Sequence, residues 1–422
     1  MSARQLTIDD PLLCARDPLE TAREYVAARA LVDSPAHRVG LELEYHLVAL
    51  ACPARRPTWP EVVAAVDSLP PMPGGSTVSV EPGGQVELST PPSADAVAAV
   101  AALRADEEVL RAGLARTGYG AAALGADPAR REARVNPAER YRAMEAHFAA
   151  VGCPGPGRSM MTATAALQVN LDAGPAAGWA GRMRLLAGLV PVLVALSATS
   201  PWLGGRAAGW HSMRRRAWLG IDPGRVGPVA DPGPGGSPGD AWASYVLAAP
   251  VMLERHTMLP VRSRTPFSAW LDGSATEPPL DRRPDSADLD YHLTTLFPPV
   301  RPRGYVELRC VDALPTRWWP ALVALIVTLV DDPVAADRAA ELCEPIRARE
   351  HEAARRGLDD AAVATAARGC LDVAVARCPA PLLPEVEELA ALFAAGRTPC
   401  GEVRRHVQQR GPVGALEEEA RA

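Results

Sequence analysis

Four stretches of the chain alternate strictly between apolar and polar positions, the period-two signature of strands with one face in a core and the other turned to ligand or solvent. In residues 39–48, Leu41, Leu43 and Tyr45 alternate with Glu42, Glu44 and His46. Residues 77–81 and 85–89 flank a Pro82-Gly83-Gly84 turn and read as a hairpin, with Glu87 out of phase with Val86 and Leu88. In 163–172, Gln168, Asn170 and Asp172 oppose Leu167, Val169 and Leu171; in 304–311, Tyr305, Glu307 and Arg309 oppose Val306, Leu308 and Cys310.

Between the strands the pattern predicts helices over 19–31, 94–117, 136–150 and 181–198, and a mainly helical region from 317 to 409. Residues 222–239 are rich in Pro and Gly and predict a long loop near the site. The elements point to an α+β fold, a largely antiparallel sheet with helices on its apolar face and a polar face left free for ligands. No repeat and no long linker interrupts the 422 residues, so one unit is expected, with 36–330 carrying the sheet and the motifs. Residues 331–422 are expected to be helical, as cover or as the interface of a homo-oligomer.

Composition narrows the chemistry. A net charge of -6 offers no footprint for nucleic acid or an anionic membrane, which leaves small molecules as the expected partners. All 44 Lys+Arg positions are arginine, which excludes a P-loop lysine, a Schiff-base lysine and lysine-tethered cofactors. Any phosphate is then held by arginine, backbone amides or metal. The eight cysteines are scattered without C-x-x-C or zinc spacing, and residues 1–10 lack the apolar stretch of a signal peptide, so a cytoplasmic protein with reduced thiols is expected. The apolar runs 185–198 and 321–330 are too short to cross a bilayer and read as buried helices.

The polar faces carry the candidate chemistry. Glu42 and Glu44 on one strand, Glu87 on another and Glu307 on a third would repel one another if brought together without a counter-ion. For any single glutamate a solvated sheet face is the simpler reading. Jointly, with Gln168, Asn170 and Arg309 in the same rows, they point to a ligand face. Oxygen donors without histidine or cysteine clusters select hard cations, and magnesium shared with substrate phosphates fits best. Other conspicuous residues have plainer readings. The run Arg214-Arg215-Arg216 is a solvated basic stretch or an anion site; Trp210, Trp218, Trp318 and Trp319 belong in the core; His46 is a structural histidine; Cys310 packs inward; His292 has no assigned role.

These motifs carry a family resemblance. Gly40-Leu41-Glu42-Leu43-Glu44, the E-P-G-G-Q-V-E run of 81–87, the 164–172 segment ending Gln168-Val169-Asn170-Leu171-Asp172, Ser212-Met213-Arg214, His292 to Pro298, and Tyr305-Val306-Glu307-Leu308-Arg309 resemble the glutamate-cysteine ligases of plants and many bacteria. The likeness spans 36–330 in the family's order and is nearest to an actinobacterial branch serving ergothioneine biosynthesis. It implies a glutamine-synthetase-like fold in which a curved sheet forms a funnel for ATP, two or three magnesium ions and glutamate. It further implies Glu42, Glu44, Glu81, Glu87 and Glu307 as metal ligands, and Gln168, Asn170, Ser212 and Arg214 as substrate contacts. Glu307 and Arg309 would be the catalytic pair, with Arg309 on the phosphoryl group in flight. The implied reaction is γ-carboxyl phosphorylation of L-glutamate by ATP followed by attack of the L-cysteine amine, which needs no protein nucleophile.

Three alternatives stay open at this level. A related ligase would use another amine; a silent paralogue would bind nucleotide without turnover; a metal-dependent phosphohydrolase would more typically show Asp/His clusters.

Overall fold

The computed structural model describes residues 10–422 apart from Ala36 and Pro234, so the expectation about residues 1–10 lies largely outside it. Nine strands are described: β1 (Val39–Ala49), β2 (Thr77–Val80), β3 (Val86–Ser89), β4 (Tyr119–Ala122), β5 (Ala166–Leu171), β6 (Trp202–Leu203), β7 (Arg206–Ala207), β8 (Val300–Pro302) and β9 (Val306–Asp312). Seven of them form one sheet in the order β2-β3-β1-β5-β9-β8, with β4 pairing the far end of β1. Every pairing in it is antiparallel. The remaining two make a separate small hairpin.

Alternation gives the sheet two unlike faces. Leu41, Leu43, Tyr45, Val86, Leu88, Leu167, Val169, Leu308 and Cys310 are fully buried against the helices Ala96–Arg116, Trp179–Ser197 and Trp319–Asp331. Fully burying an aliphatic side chain of this size is worth about 1.5–3 kcal/mol, so a one-residue register slip in β1 would cost several such terms and turn its glutamates into the core. Register is thus set by the apolar face, and the polar face inherits its geometry.

The predicted helices are present, with the C-terminal region divided into several by Pro and Gly. The helix Trp179–Ser197, with the short turn before it, is long and apolar enough to span a bilayer by composition, but it lies largely inside the fold as a core helix. The C-terminal helical segment Pro399–Arg421, which kinks at Gly411 (φ 71°), closes on the sheet: Val48 and Ala122 pack with Leu416 and Ala420. Gly120 on β4 has no room for a side chain, since a Cβ there would meet the Ala420 carbonyl at 2.2 Å. The region expected as cover or interface therefore covers the β1–β4 corner. The seven cysteines described carry no disulfide, Cys343 and Cys370 facing each other at 3.8 Å Sγ to Sγ.

Three elements departed from expectation for identifiable reasons. The strand β8 was invisible because Pro299 and Pro302 bracket it, and β4 because Gly-Ala-Ala carries no alternation. The 222–239 segment contains a helical turn, Pro223–Val226, and ends at the helix Pro238–Ala248. Only its start approaches the polar face: Arg225 donates to the Thr295 carbonyl, and its own carbonyl accepts from the Phe297 amide.

Candidate active site

Antiparallel register brings the polar residues together. Glu44 lies opposite Glu87, Glu42 opposite Gln168, Asn170 opposite Glu307, and Arg301 opposite Glu307. Directly opposed residues on one face stand within side-chain reach, so four separated motifs become one surface. Glu81 joins through the β2–β3 turn. There the Gly84 amide donates to the Glu81 carbonyl at 2.9 Å, with Gly84 at φ 81°. A Cβ on Gly83 would meet the Thr162 carbonyl at 2.2 Å, so the turn sits hard against the helix Pro154–Ala163. Gln85 fastens it by donating to the Thr164 carbonyl at 2.8 Å. The Pro-Gly-Gly-Gln sequence is what lets Glu81 and Glu87 share one side of the cleft.

The cleft has a volume of about 300 Å³ and is lined by Glu42, Glu44, Glu81, Glu87, Glu307, Gln168, Arg214 and Arg309 among others. Burial raises the pKa of Glu42, Glu44, Glu81 and Glu87, and neighbouring carboxylates add to the rise in each. Their hydrogen bonds offset this only in part: Asn170 Nδ2 to Glu42 at 2.9 Å, the Ala166 amide to Glu44 at 2.9 Å, and Ser79 and Ser89 hydroxyls to Glu87 at 3.0 Å. Glu307 is different. Burial opposes its charge, but Arg309 at 3.1 Å and a two-bond contact from Arg301 hold its pKa at about 2. Its charge is met by arginine, while among the described residues no arginine forms an ion pair with the other four carboxylates.

The cationic side is equally incomplete. Arg214 is buried, which lowers its pKa to about 10; it donates to the Arg309 carbonyl at 2.7 Å, and its NH1 has no hydrogen-bond partner. Arg309 donates to Gln168 Oε1, while its Nε is also unpartnered. Trp218 Nε1 is a third buried donor without an acceptor. Buried donors without acceptors beside carboxylates crowded together at raised pKa suit an anionic ligand accompanied by hard cations. The all-oxygen donor set of Glu42, Glu44, Glu81 and Glu87 suits magnesium in particular. A second pocket, about 220 Å³, shares Thr294, Arg301 and Arg303 with the cleft and adds Trp242, Leu293 and Pro302.

Several readings are corrected. Ser212, expected to touch substrate, is fully buried as the N-cap of the helix Met213–Leu219; its hydroxyl donates to Asp312 at 2.8 Å and accepts from the Arg215 amide at 3.0 Å. Asn170 faces Glu42 instead of lining the cleft directly. The basic run divides: Arg214 and Arg215 are buried, Arg215 pairing with Glu350, and Arg216 alone is exposed. Trp218 is buried yet lines the cleft, whereas Trp318 and Trp319 are core. His46 and His292 are buried, bonded to the Leu124 and Val246 carbonyls, and held neutral by burial at about 4 and about 3. Cys310 is core, as expected.

Sequence reasoning missed Arg140, Tyr141, Met160, Met161, Phe297, Arg301 and Arg303, which also line the cleft. The helix Glu139–Ala150 presents Tyr141 and Met144 three residues apart, a spacing that marks one helix face without saying what it meets.

Comparison with known proteins agrees with this geometry. Residues 38–416 match glutamate-cysteine ligase family 2 (GCS2), extending the likeness well into the C-terminal helices. The chain is 48% identical over 403 residues to glutamate-cysteine ligase EgtA of Mycolicibacterium smegmatis, covering 95% of each. It is 48% identical over 400 residues to EgtA of Mycobacterium tuberculosis H37Rv, covering 94% of this chain and 92% of that one. A crystal structure of glutamate-cysteine ligase from Francisella tularensis, in complex with AMP, shares the fold with a TM-score of 0.54 at 13% identity, over 92% of this chain and 88% of that one. With its carboxylate-and-arginine cleft on an antiparallel sheet, the chain belongs to glutamate-cysteine ligase family 2.

Proposed function

We propose that this protein joins the γ-carboxyl of L-glutamate to the amine of L-cysteine, consuming ATP and releasing γ-glutamylcysteine, ADP and phosphate, in the cytoplasm and in supply of ergothioneine biosynthesis. The observation that carries the reading is the pairing of four cation-seeking carboxylates, Glu42, Glu44, Glu81 and Glu87, with the partnerless donors of Arg214 and Arg309 in one cleft. Near-half identity to the mycobacterial ligases over almost the whole chain supports the substrates.

A carboxylate is a poor electrophile, and the reaction activates it as an acyl phosphate. Magnesium held by Glu42, Glu44, Glu81 and Glu87 would offset the charge of the phosphates. Arg309, fixed between Gln168 and Glu307, presents its guanidinium to the phosphoryl group as charge builds on the equatorial oxygens. Glu307 holds Arg309 and Arg301 in place and keeps its own charge at neutral pH. Arg214 takes the α-carboxylate of glutamate, leaving the side chain aimed at the glutamate cluster. The smaller pocket at Trp242, Leu293 and Pro302 accepts the base of ATP, with Arg301 and Arg303 at the junction. When the cysteine amine attacks γ-glutamyl phosphate, the leaving phosphate stays on the arginines that received it.

The test is amine-dependent ADP release with ATP, magnesium and glutamate, comparing cysteine, 2-aminobutyrate, serine, alanine and buffer, with mass detection of product. γ-Glutamylcysteine formed with cysteine as the preferred amine is the expected result. Turnover with another amine alone would replace the acceptor, and none at all would overturn the reading.

A further inference from the structure

A cavity of about 470 Å³ lies apart from the cleft and shares no lining residue with it. Its walls are apolar: Met183, Ala187 and Val190 from the helix Trp179–Ser197, Val229 from the Pro/Gly-rich segment, and Pro299 and Val300 at the start of β8. The size and the predominance of apolar walls are those of pockets that take small organic molecules. Its polar groups are few and unbalanced. Arg184 donates to Asp231 from Nε at 2.9 Å and from NH2 at 3.2 Å, and Arg347 approaches the same carboxylate at 3.3 Å. Beyond Asp231, Arg347 donates to the Arg184 carbonyl at 3.4 Å and has exposed Glu344 at 3.7 Å as its one other acidic partner, and Arg184 has no other acidic partner, among the described residues. The remaining acid in the wall, Glu350, is engaged by Arg215. Two half-exposed guanidinium groups sharing one carboxylate leave room for a second anion.

We propose that this cavity is an effector site for a small amphipathic carboxylate, its apolar body against Ala187, Val190, Val229 and Val300 and its carboxylate on Arg184 and Arg347. Two contacts join the site to the cleft. The Pro299 carbonyl accepts the backbone N–H of Arg309 at 2.9 Å, and Glu350 anchors Arg215 next to Arg214. A ligand packed on Val300 therefore lies one residue from the carbonyl that holds the Arg309 backbone, and Glu350 in the same wall reaches Arg214 through the side chain of its neighbour Arg215. This coupling rests on the ligase reading; the binding does not.

The experiment titrates the full chain calorimetrically with 4-phenylbutyrate and with the neutral 4-phenylbutan-1-ol, in the presence and absence of ATP and glutamate. Saturable binding of the acid that ATP and glutamate do not displace is expected. Ala187→Phe and Val229→Trp fill the cavity from two sides and should each weaken it about tenfold. Arg347→Gln should weaken the acid about threefold and leave the alcohol unchanged. Saturating acid should change kcat or the KM for glutamate about fivefold in the wild type and not in the filled variants. Should one filled variant fail to fold, the other decides. Undiminished binding in the folded filled variants, or equal effects of Arg347→Gln on acid and alcohol, would overturn the site; binding without kinetic change would overturn its coupling. If no variant releases ADP with any amine, the ligase reading fails while the calorimetric result still decides the site.

Discussion

Glu44 and Glu87 stand directly across the β1–β3 ladder from each other, two carboxylates in register on the same face of a sheet whose opposite face is solid core. Like charges so placed destabilise a strand pair, and both groups have pKa values raised by burial, with Glu81 adding to the rise in each and Glu87 adding further to that of Glu44. The apolar residues alternating with them fix the register and leave the strands no way to separate the pair. Glu87→Gln should therefore stabilise the protein in EDTA by roughly 1 kcal/mol while lowering ligation at least about a hundredfold. Denaturant melts with and without magnesium check both halves: the wild type gains stability from the ion and the variant gains much less. A variant that is active, or equally stabilised by magnesium, removes Glu87 from the cation site.

Arg309 is held by Gln168 and Glu307 through one terminal nitrogen, Nη1, and its Nε has no partner. A lysine ammonium in the place of Nη1 carries the charge and can meet both partners, but it has no second nitrogen to present to the phosphoryl group. Arg309→Lys should lower kcat by about a hundredfold or more with a small change in the KM for ATP. Steady-state kinetics decide it; a loss confined to KM would make Arg309 a ground-state contact.

Ser212 and Asp312 act behind the cleft. Asp312 accepts hydroxyls from Ser200 at 2.6 Å and Ser212 at 2.8 Å and is the carboxylate facing Arg214, at 4.0 Å. Ser212→Ala should cost about 1 kcal/mol through the lost helix cap, with kcat/KM within about threefold of wild type. Asp312→Asn removes the first of the two carboxylates that balance buried Arg214 and leaves only Glu44, so it should cost about 3 kcal/mol and raise the KM for glutamate. Equal kinetic effects of the two would restore Ser212 to the substrate site.

The contrast shows what the sequence could carry. Strand alternation marked the faces of β1, β3, β5 and β9, and with them Glu42, Glu44, Glu87, Gln168, Glu307 and Arg309, because a two-residue period is a local property. Arg301 was not legible, since β8 is three residues long and bracketed by prolines, and its role exists only by pairing with Glu307. Arg215 looked like its exposed neighbour Arg216 because burial within a short helix depends on what packs over it, here Glu350 from 135 residues away. Ser212 sits in a family-like motif, yet its hydroxyl turns inward to a carboxylate on β9, a long-range contact with no local signature.

The C-terminal helical segment carries a buried carboxyl group that faces the helix Ala96–Arg116. Burial raises Glu419 from 4.5 to about 7; Arg111, at 3.7 Å, opposes the rise, while Glu107 on the same helix as Arg111 adds to it, with Tyr45 and Arg317 also facing the group. The native state thus holds this proton more tightly than the unfolded chain does. Its contribution to stability is complete below pH 4.5, falls as pH rises toward 7, and is constant above. Glu419→Gln keeps the shape and removes the titration. The variant's stability relative to wild type should therefore climb between pH 4.5 and 7 by up to about 3 kcal/mol and then level off. Parallel denaturant melts at pH 5, 6, 7 and 8 measure the difference directly. A difference that stays flat across this range would mean that Glu419 is ionised throughout, with Arg111 close enough to hold its charge.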